Sequence, residues 1–121
     1  MRTTKNYKEL IVWQKSIWLA TLVFEITKKF PKSELYGIVS QIRRAAFSIP
    51  SNIAEGYCRG SRNEYKQFLQ IAYGSAAELE TQLTISLKTG MLTNKDFQKL
   101  NSLLIEILKM LNKMIGSLRR N

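Results

Sequence analysis

Two carboxylates and one thiol are the side chains of this sequence that invite a chemical role. Glu55 and Glu78 suggest a general acid/base pair, and Cys58, just after Gly56-Tyr57, suggests a nucleophile. Both readings need company that the chain lacks. It contains no histidine, which removes Ser-His-Asp and Cys-His pairs, His-ligated zinc and Glu-x-x-His di-iron sites. Arg59 and Arg62 stand near Glu55, where a structural ion pair is the ordinary outcome, and a lone cysteine among apolar neighbours is ordinarily inert. The expectation is a protein that is not an enzyme, with no cofactor and no metal. A single cysteine forms no intrachain disulfide, which fits a reducing compartment.

The stronger chemical signal is cationic. Nineteen Lys and Arg oppose nine Asp and Glu over 121 residues, a net charge of +10. Residues 1–30, 31–60, 61–90 and 91–121 carry +4, +2, 0 and +4, so the excess gathers toward both ends. Arg43, Arg44, Arg59, Arg62 and Lys66 fall around the second predicted helix and the start of the third, and arginine grips phosphate bidentately. Tyr57 and Tyr65 lie close enough to this cluster to offer base stacking. At 100° per residue, Lys95, Lys99, Lys109, Lys113 and Arg120 share one face of the last helix, interrupted by Glu106. Such a stripe taken alone is ordinarily a solvated face. No helix-turn-helix, ribonucleoprotein signature or zinc finger is present, so the chemistry supported is phosphate binding to RNA or DNA with little sequence preference. The rival expectation is a protein-interaction module whose charge meets an acidic protein partner or serves solubility.

These residues need a frame, and the apolar pattern supplies an all-α one. An apolar fraction of 45% is enough for a core in one domain spanning 1–121. Punctuation at Phe30-Pro31, Arg59-Gly60-Ser61 and Thr89-Gly90 separates four helices, about 8–30, 33–57, 62–89 and 94–119. Short connections make them an antiparallel up-down four-helix bundle. Ser61-x-x-Glu64 and Thr93-x-x-Asp96 read as N-terminal caps, and Gly90 as a C-terminal one. The most apolar stretch, Ile17 to Phe24, is far short of a membrane span, and no targeting signal precedes it, so a cytoplasmic protein without membrane contact is expected.

Three helices carry further expectations. In the last, Phe97, Leu100, Leu104, Ile107, Leu111, Met114 and Leu118 are spaced 3-4-3-4-3-4 and form a core seam. In the second, Leu35, Ile38, Ile42, Ala45, Ile49 and Ile53 face inward, and Pro50 predicts a kink or break, with Ser48 and Ser51 satisfying freed backbone groups. Gly74-Ser75-Ala76-Ala77 gives the third a small-residue waist for close approach of a neighbour. The first helix has two apolar stripes. Trp13, Ile17, Ala20 and Phe24 form one; Val12, Leu19, Val23, Ile26 and Phe30 form the other; Ile11, Trp18 and Leu22 bridge them. A bundle helix buries one face, so the second stripe, with Val12, Leu19, Val23 and Ile26, is expected to contact another copy of the chain.

The segment around Pro50 is unusual in its own right: Gln41-x-x-Arg44 followed by alanine, then Ser48-Ile49-Pro50-x-Asn52-Ile53-Ala54-Glu55-Gly56. Phe68-Leu69-x-x-Ala72-x-Gly74-Ser75 follows downstream. With Leu10-x-Val12-Trp13-Gln14-Lys15, Phe30-Pro31-Lys32-x-Glu34-x-Tyr36-Gly37 and Glu78-Leu79-Glu80-Thr81-Gln82-Leu83, it resembles the 23S rRNA intervening-sequence family of four-helix bundle proteins. The likeness is close over residues 7–92. Ser48, Pro50, Asn52, Glu55 and Gly56 form its central motif. The resemblance implies a bundle that assembles into a cyclic homo-oligomer, with a pentamer expected. It also implies kinship with the accessory proteins of diversity-generating retroelements, basic rings that bind nucleic acid and a reverse transcriptase. It implies no chemistry.

Overall fold

Local caps decide where the helices begin and end. The computed structural model describes residues 6–119, and among them it is entirely helical: α1 Ile11–Thr27, α2 Ser40–Cys58, α3 Arg62–Lys88 and α4 Asn94–Arg119. The N-terminus of α3 is capped by Ser61, whose Oγ accepts from Glu64 N at 3.1 Å and donates to Glu64 Oε1 at 2.9 Å. Thr93 Oγ1 likewise accepts from Asp96 N at 3.1 Å to open α4. Gly60 and Gly90 have φ of 89° and 81°, the left-handed backbone that reverses the chain after α2 and after α3. α1 is entered through a 3-10 turn, Tyr7–Glu9. Asn6 Oδ1 accepts from Lys8 N at 2.8 Å, Gln14 Nε2 donates to Lys8 O, and the Tyr7 ring meets Trp13 edge-on at 5.4 Å.

Two boundaries differ from the sequence reading, each for a local reason. α1 stops at Thr27 rather than continuing to residue 30. Its threonine hydroxyl turns back on the Val23 and Phe24 carbonyls, and Pro31 disfavours helical backbone at the residue before it. The second helix opens as a 3-10 turn, Lys32–Glu34, and a π turn, Leu35–Val39, in which Gly37 leaves helical geometry at φ −110°, ψ −113°. Regular α2 begins only at Ser40 and runs unbroken through Pro50. The helix is therefore not broken at the proline. Ser51 Oγ donates to Phe47 O and Asn52 Nδ2 to Ser48 O, the two carbonyls that follow that of Ala46, which Pro50 has no N–H to serve. Ser48 turns instead to α3, sharing a 2.9 Å hydrogen bond with Ser75.

The helices pack in ring order, α1 on α2, α2 on α3, α3 on α4 and α4 back on α1. Ile42, Ile49 and Ile53 from α2, Leu69, Leu79 and Leu83 from α3, and Leu100, Leu104, Ile107 and Leu111 from α4 are fully buried. Each such side chain contributes about 1.5–3 kcal/mol relative to exposure. Leu35, expected inside, lies on the irregular turn and is exposed. The close approach expected at Gly74 occurs elsewhere. A Cβ on Gly74 would meet nothing within 4 Å, whereas one on Gly56 would lie 2.6 Å from Phe68 Cβ and 3.3 Å from Tyr65 O, so the glycine that α3 packs against is Gly56. Ser75 and Ala76 face α2 and the core; Gly74 and Ala77 are exposed.

α1 carries the largest correction. Val12, Leu19, Val23 and Ile26, expected at an oligomer interface, are buried in the core of the single chain. The surplus apolar surface belongs to Ile11, Ile17, Trp18 and Phe24, which are all exposed. Two apolar stripes are present as the sequence implies, but the rotation of α1 about its axis turns the aliphatic one inward and leaves aromatic side chains outside.

Candidate nucleic-acid interface

Of the arginine cluster, three members are tied into the bundle. Arg59 Nη2 lies 2.9 Å from Glu55 Oε2 and Nη1 3.4 Å from Glu64 Oε2, with the guanidinium 5.0 Å from the Phe68 ring centroid. The Glu55 hydrogen bond, then the charges of Glu55 and Glu64 against some desolvation, raise Arg59 above its ordinary pKa. It is thus cationic at every pH of interest. Arg62 reaches across the bundle to the end of α4, donating to Leu118 O at 3.2 Å and Ser117 O at 3.0 Å, where a cation also complements the helix dipole. Arg43 does the same for α1, donating to Thr27 Oγ1 at 3.0 Å and Phe24 O at 3.3 Å while its guanidinium sits 4.2 Å from the Phe24 ring centroid.

The remaining basic groups face outward. Arg44 is exposed, and Lys66 is half-buried at the start of α3. Lys95, Lys99, Lys109 and Lys113 are all exposed on α4 and form no ion pair among the described residues. Glu106, which interrupts their stripe, is neutralised by Lys15 of α1 at 3.1 Å. Arg120 lies outside the described residues.

The aromatic part of the expected surface is placed differently. Tyr57 is buried and packs edge-on against the half-buried Tyr65 at 5.8 Å, so this pair belongs to the α2–α3 contact. Tyr36, 93% exposed, and Phe47, 43% exposed, are the aromatic side chains that stand beside free arginine, in a groove of about 590 Å³ also lined by Ser40, Arg43, Arg44, Ser48 and Ser51. Position on the helix already signals Phe47, which shares its side of α2 with Arg44 and Ser51. Tyr36 has no such signal, because the turn at Gly37 sets its direction.

The central motif is structural in this fold. Asn52 Nδ2 donates to both O and Oγ of Ser48, which bonds Ser75, so a polar bridge crosses the α2–α3 seam. Glu55 is held by Arg59, and Gly56 admits Phe68. Glu78 is exposed and accepts from Gln82 at 3.4 Å. Cys58 ends α2 exposed rather than among apolar neighbours. Among the described residues no group of carboxylates and thiol could hold a metal ion, and no helix is long and apolar enough to cross a membrane.

Comparison with known proteins agrees with this architecture. A family model described as 23S rRNA-intervening sequence protein matches residues 8–113. Among solved structures, a protein of unknown function from the S23 ribosomal protein family of Bacteroides thetaiotaomicron superposes with a TM-score of 0.82 at 28% identity. The match covers 88% of this chain and 96% of that one. No curated protein matches at a significant level.

Proposed function

The chain belongs to the 23S rRNA-intervening sequence protein family, and from that premise we propose that it is a basic, oligomeric, non-enzymatic scaffold that binds RNA or DNA through phosphate contacts with little sequence preference. One observation carries the reading. Four lysines of α4 project from one face with no ion pair to a carboxylate among the described residues, and the acid in their midst is already matched by Lys15. With Glu106 held by Lys15, the face presents positive charge alone, which is what contacts to successive phosphates require.

Assembly multiplies this face. Trp18 and Ile11, one above the other on α1, are each 58% exposed. Trp18 opens a groove toward α4 lined by Leu22, Lys99, Ser102, Leu103 and Glu106. An aromatic and an aliphatic side chain held in water at a helix–helix groove suit a second copy, and a closed ring, with a pentamer expected by family resemblance, would join several weak phosphate patches into one multivalent surface. A reverse transcriptase or another protein docked on that ring is a partner that the same resemblance suggests, in a cytoplasmic setting.

The test is titration of labelled RNA and DNA oligonucleotides at 50 and 200 mM salt. Four phosphate contacts to a single strand predict roughly a 50-fold loss of affinity across that range. Absence of binding, or binding indifferent to salt, would refute the reading and leave an acidic protein as the partner to seek.

A further inference from the structure

Three surface grooves join end to end along the α1–α2 side of the bundle. The first lies over Thr27, Lys28, Lys32 and Leu35; the second over Tyr36, Ser40, Arg44 and Phe47; the third over Ile17, Thr21, Phe24 and Pro50. Leu35 and Arg43 are common to the first two, Phe47 and Ser51 to the last two. No carboxylate lines any of them, whereas the grooves elsewhere on the bundle include Glu106 or Glu55. Two carboxylates stand nearby, Glu25 on α1, matched by Lys28 at 3.3 Å, and Glu34, whose side chain lies over Gly37.

We propose that this track holds a single-stranded nucleic-acid segment, with a base stacked on Tyr36 beside Phe47 and the adjoining phosphates on Arg44 and Lys32. The inference rests on the nucleic-acid reading above and assigns it a site distinct from the lysine face of α4. Tyr36 presents almost its whole ring to water, and Phe47 stacks on Phe24 at a centroid distance of 6.5 Å while keeping part of its own face open. A cationic groove interleaved with aromatic faces is what a flexible strand requires, since every base has a π-face and every nucleotide a charge. A duplex cannot use the aromatic part, because its bases are already stacked. Ser40, exposed at the start of α2, adds a hydroxyl along the groove for a sugar or base edge. A second copy of the chain is the less suitable occupant. It would bring Lys28, Lys32 and Arg44 against a subunit that itself carries +10.

The experiment uses the full chain and fluorescence anisotropy with oligouridylate, oligothymidylate and a duplex, each about 15 nucleotides long. Tyr36→Ala is expected to weaken both single strands about 5- to 100-fold, to leave duplex binding within about twofold, and to be rescued by Tyr36→Trp. Arg44→Ala is expected to flatten the salt slope for single strands by about 0.7, whereas Tyr36→Ala leaves that slope unchanged. Tyr36 packs on nothing that folding needs, so both variants should keep the wild-type melting temperature. Wild-type binding that survives Tyr36→Ala undiminished, or falls equally for strand and duplex, overturns the track but not the wider reading. Failure of the wild type to bind any of the probes overturns both. A fall in assembly mass for Tyr36→Ala would assign the groove to a neighbouring copy and also overturn the proposal.

Discussion

Arg62 and Lys109 carry the same charge toward opposite ends. The Arg62 guanidinium closes the last carbonyls of α4 from across the bundle, while Lys109 touches nothing that the fold depends on. Arg62→Ala should therefore lower stability by about 1 kcal/mol, a drop in melting temperature of about 4 °C on thermal denaturation. Its effect on nucleic-acid affinity should be the loss of one charge at most. Lys109→Ala with Lys113→Ala should do the reverse, weakening binding with the melting curve in place. An unchanged melting temperature for Arg62→Ala would show that the α4 terminus holds without it. The types of these residues were legible in the sequence, but their division of labour was not. A guanidinium three or four residues from a carboxylate announces an ion pair, as Arg59 and Glu55 do. A guanidinium that bonds carbonyls 55 and 56 positions away gives no local sign.

Among the elements, α2 and α3 show how close packing depends on a single missing Cβ. Gly56→Ala places a methyl group 2.6 Å from Phe68 Cβ and should cost about 1–3 kcal/mol as the helices separate. Gly74→Ala meets open space and should stabilise α3 by about 0.5–1 kcal/mol. Chemical denaturation of the two variants measures both, and equal effects would contradict the placement of the α2–α3 approach. Both glycines stand in helices, and nothing in their neighbours' periodicity says which one meets a helix. Helix count, caps and the α4 seam were readable because they rest on short-range hydrogen bonds and the 3.6-residue period. The orientation of α1 was not, because a helix with two apolar stripes satisfies the pattern in either rotation and the neighbouring helices choose. The irregular start of α2 was hidden for a related reason: Gly37, not the conspicuous Pro50, is where the backbone leaves helical geometry.

At the scale of the whole molecule, exposed apolar surface and unopposed charge meet at the α1–α4 groove, where Trp18 stands beside Lys99. Light scattering of the wild type should return a multiple of the 14.0 kDa chain mass, about fivefold for the expected ring. Trp18→Glu should shift it to monomer while circular dichroism stays helical; a monomeric wild type would refute self-assembly through α1. The α4 face is tested by the slope of log affinity against log salt for a single-stranded RNA, measured on the wild type and on the variant with Lys95, Lys99, Lys109 and Lys113 all replaced by alanine. Each phosphate contact contributes about −0.7 to that slope, so the account predicts a steep wild-type slope that becomes shallower by about 2–3 in the variant. A wild-type slope near zero, or one that the four substitutions leave unchanged, would contradict it.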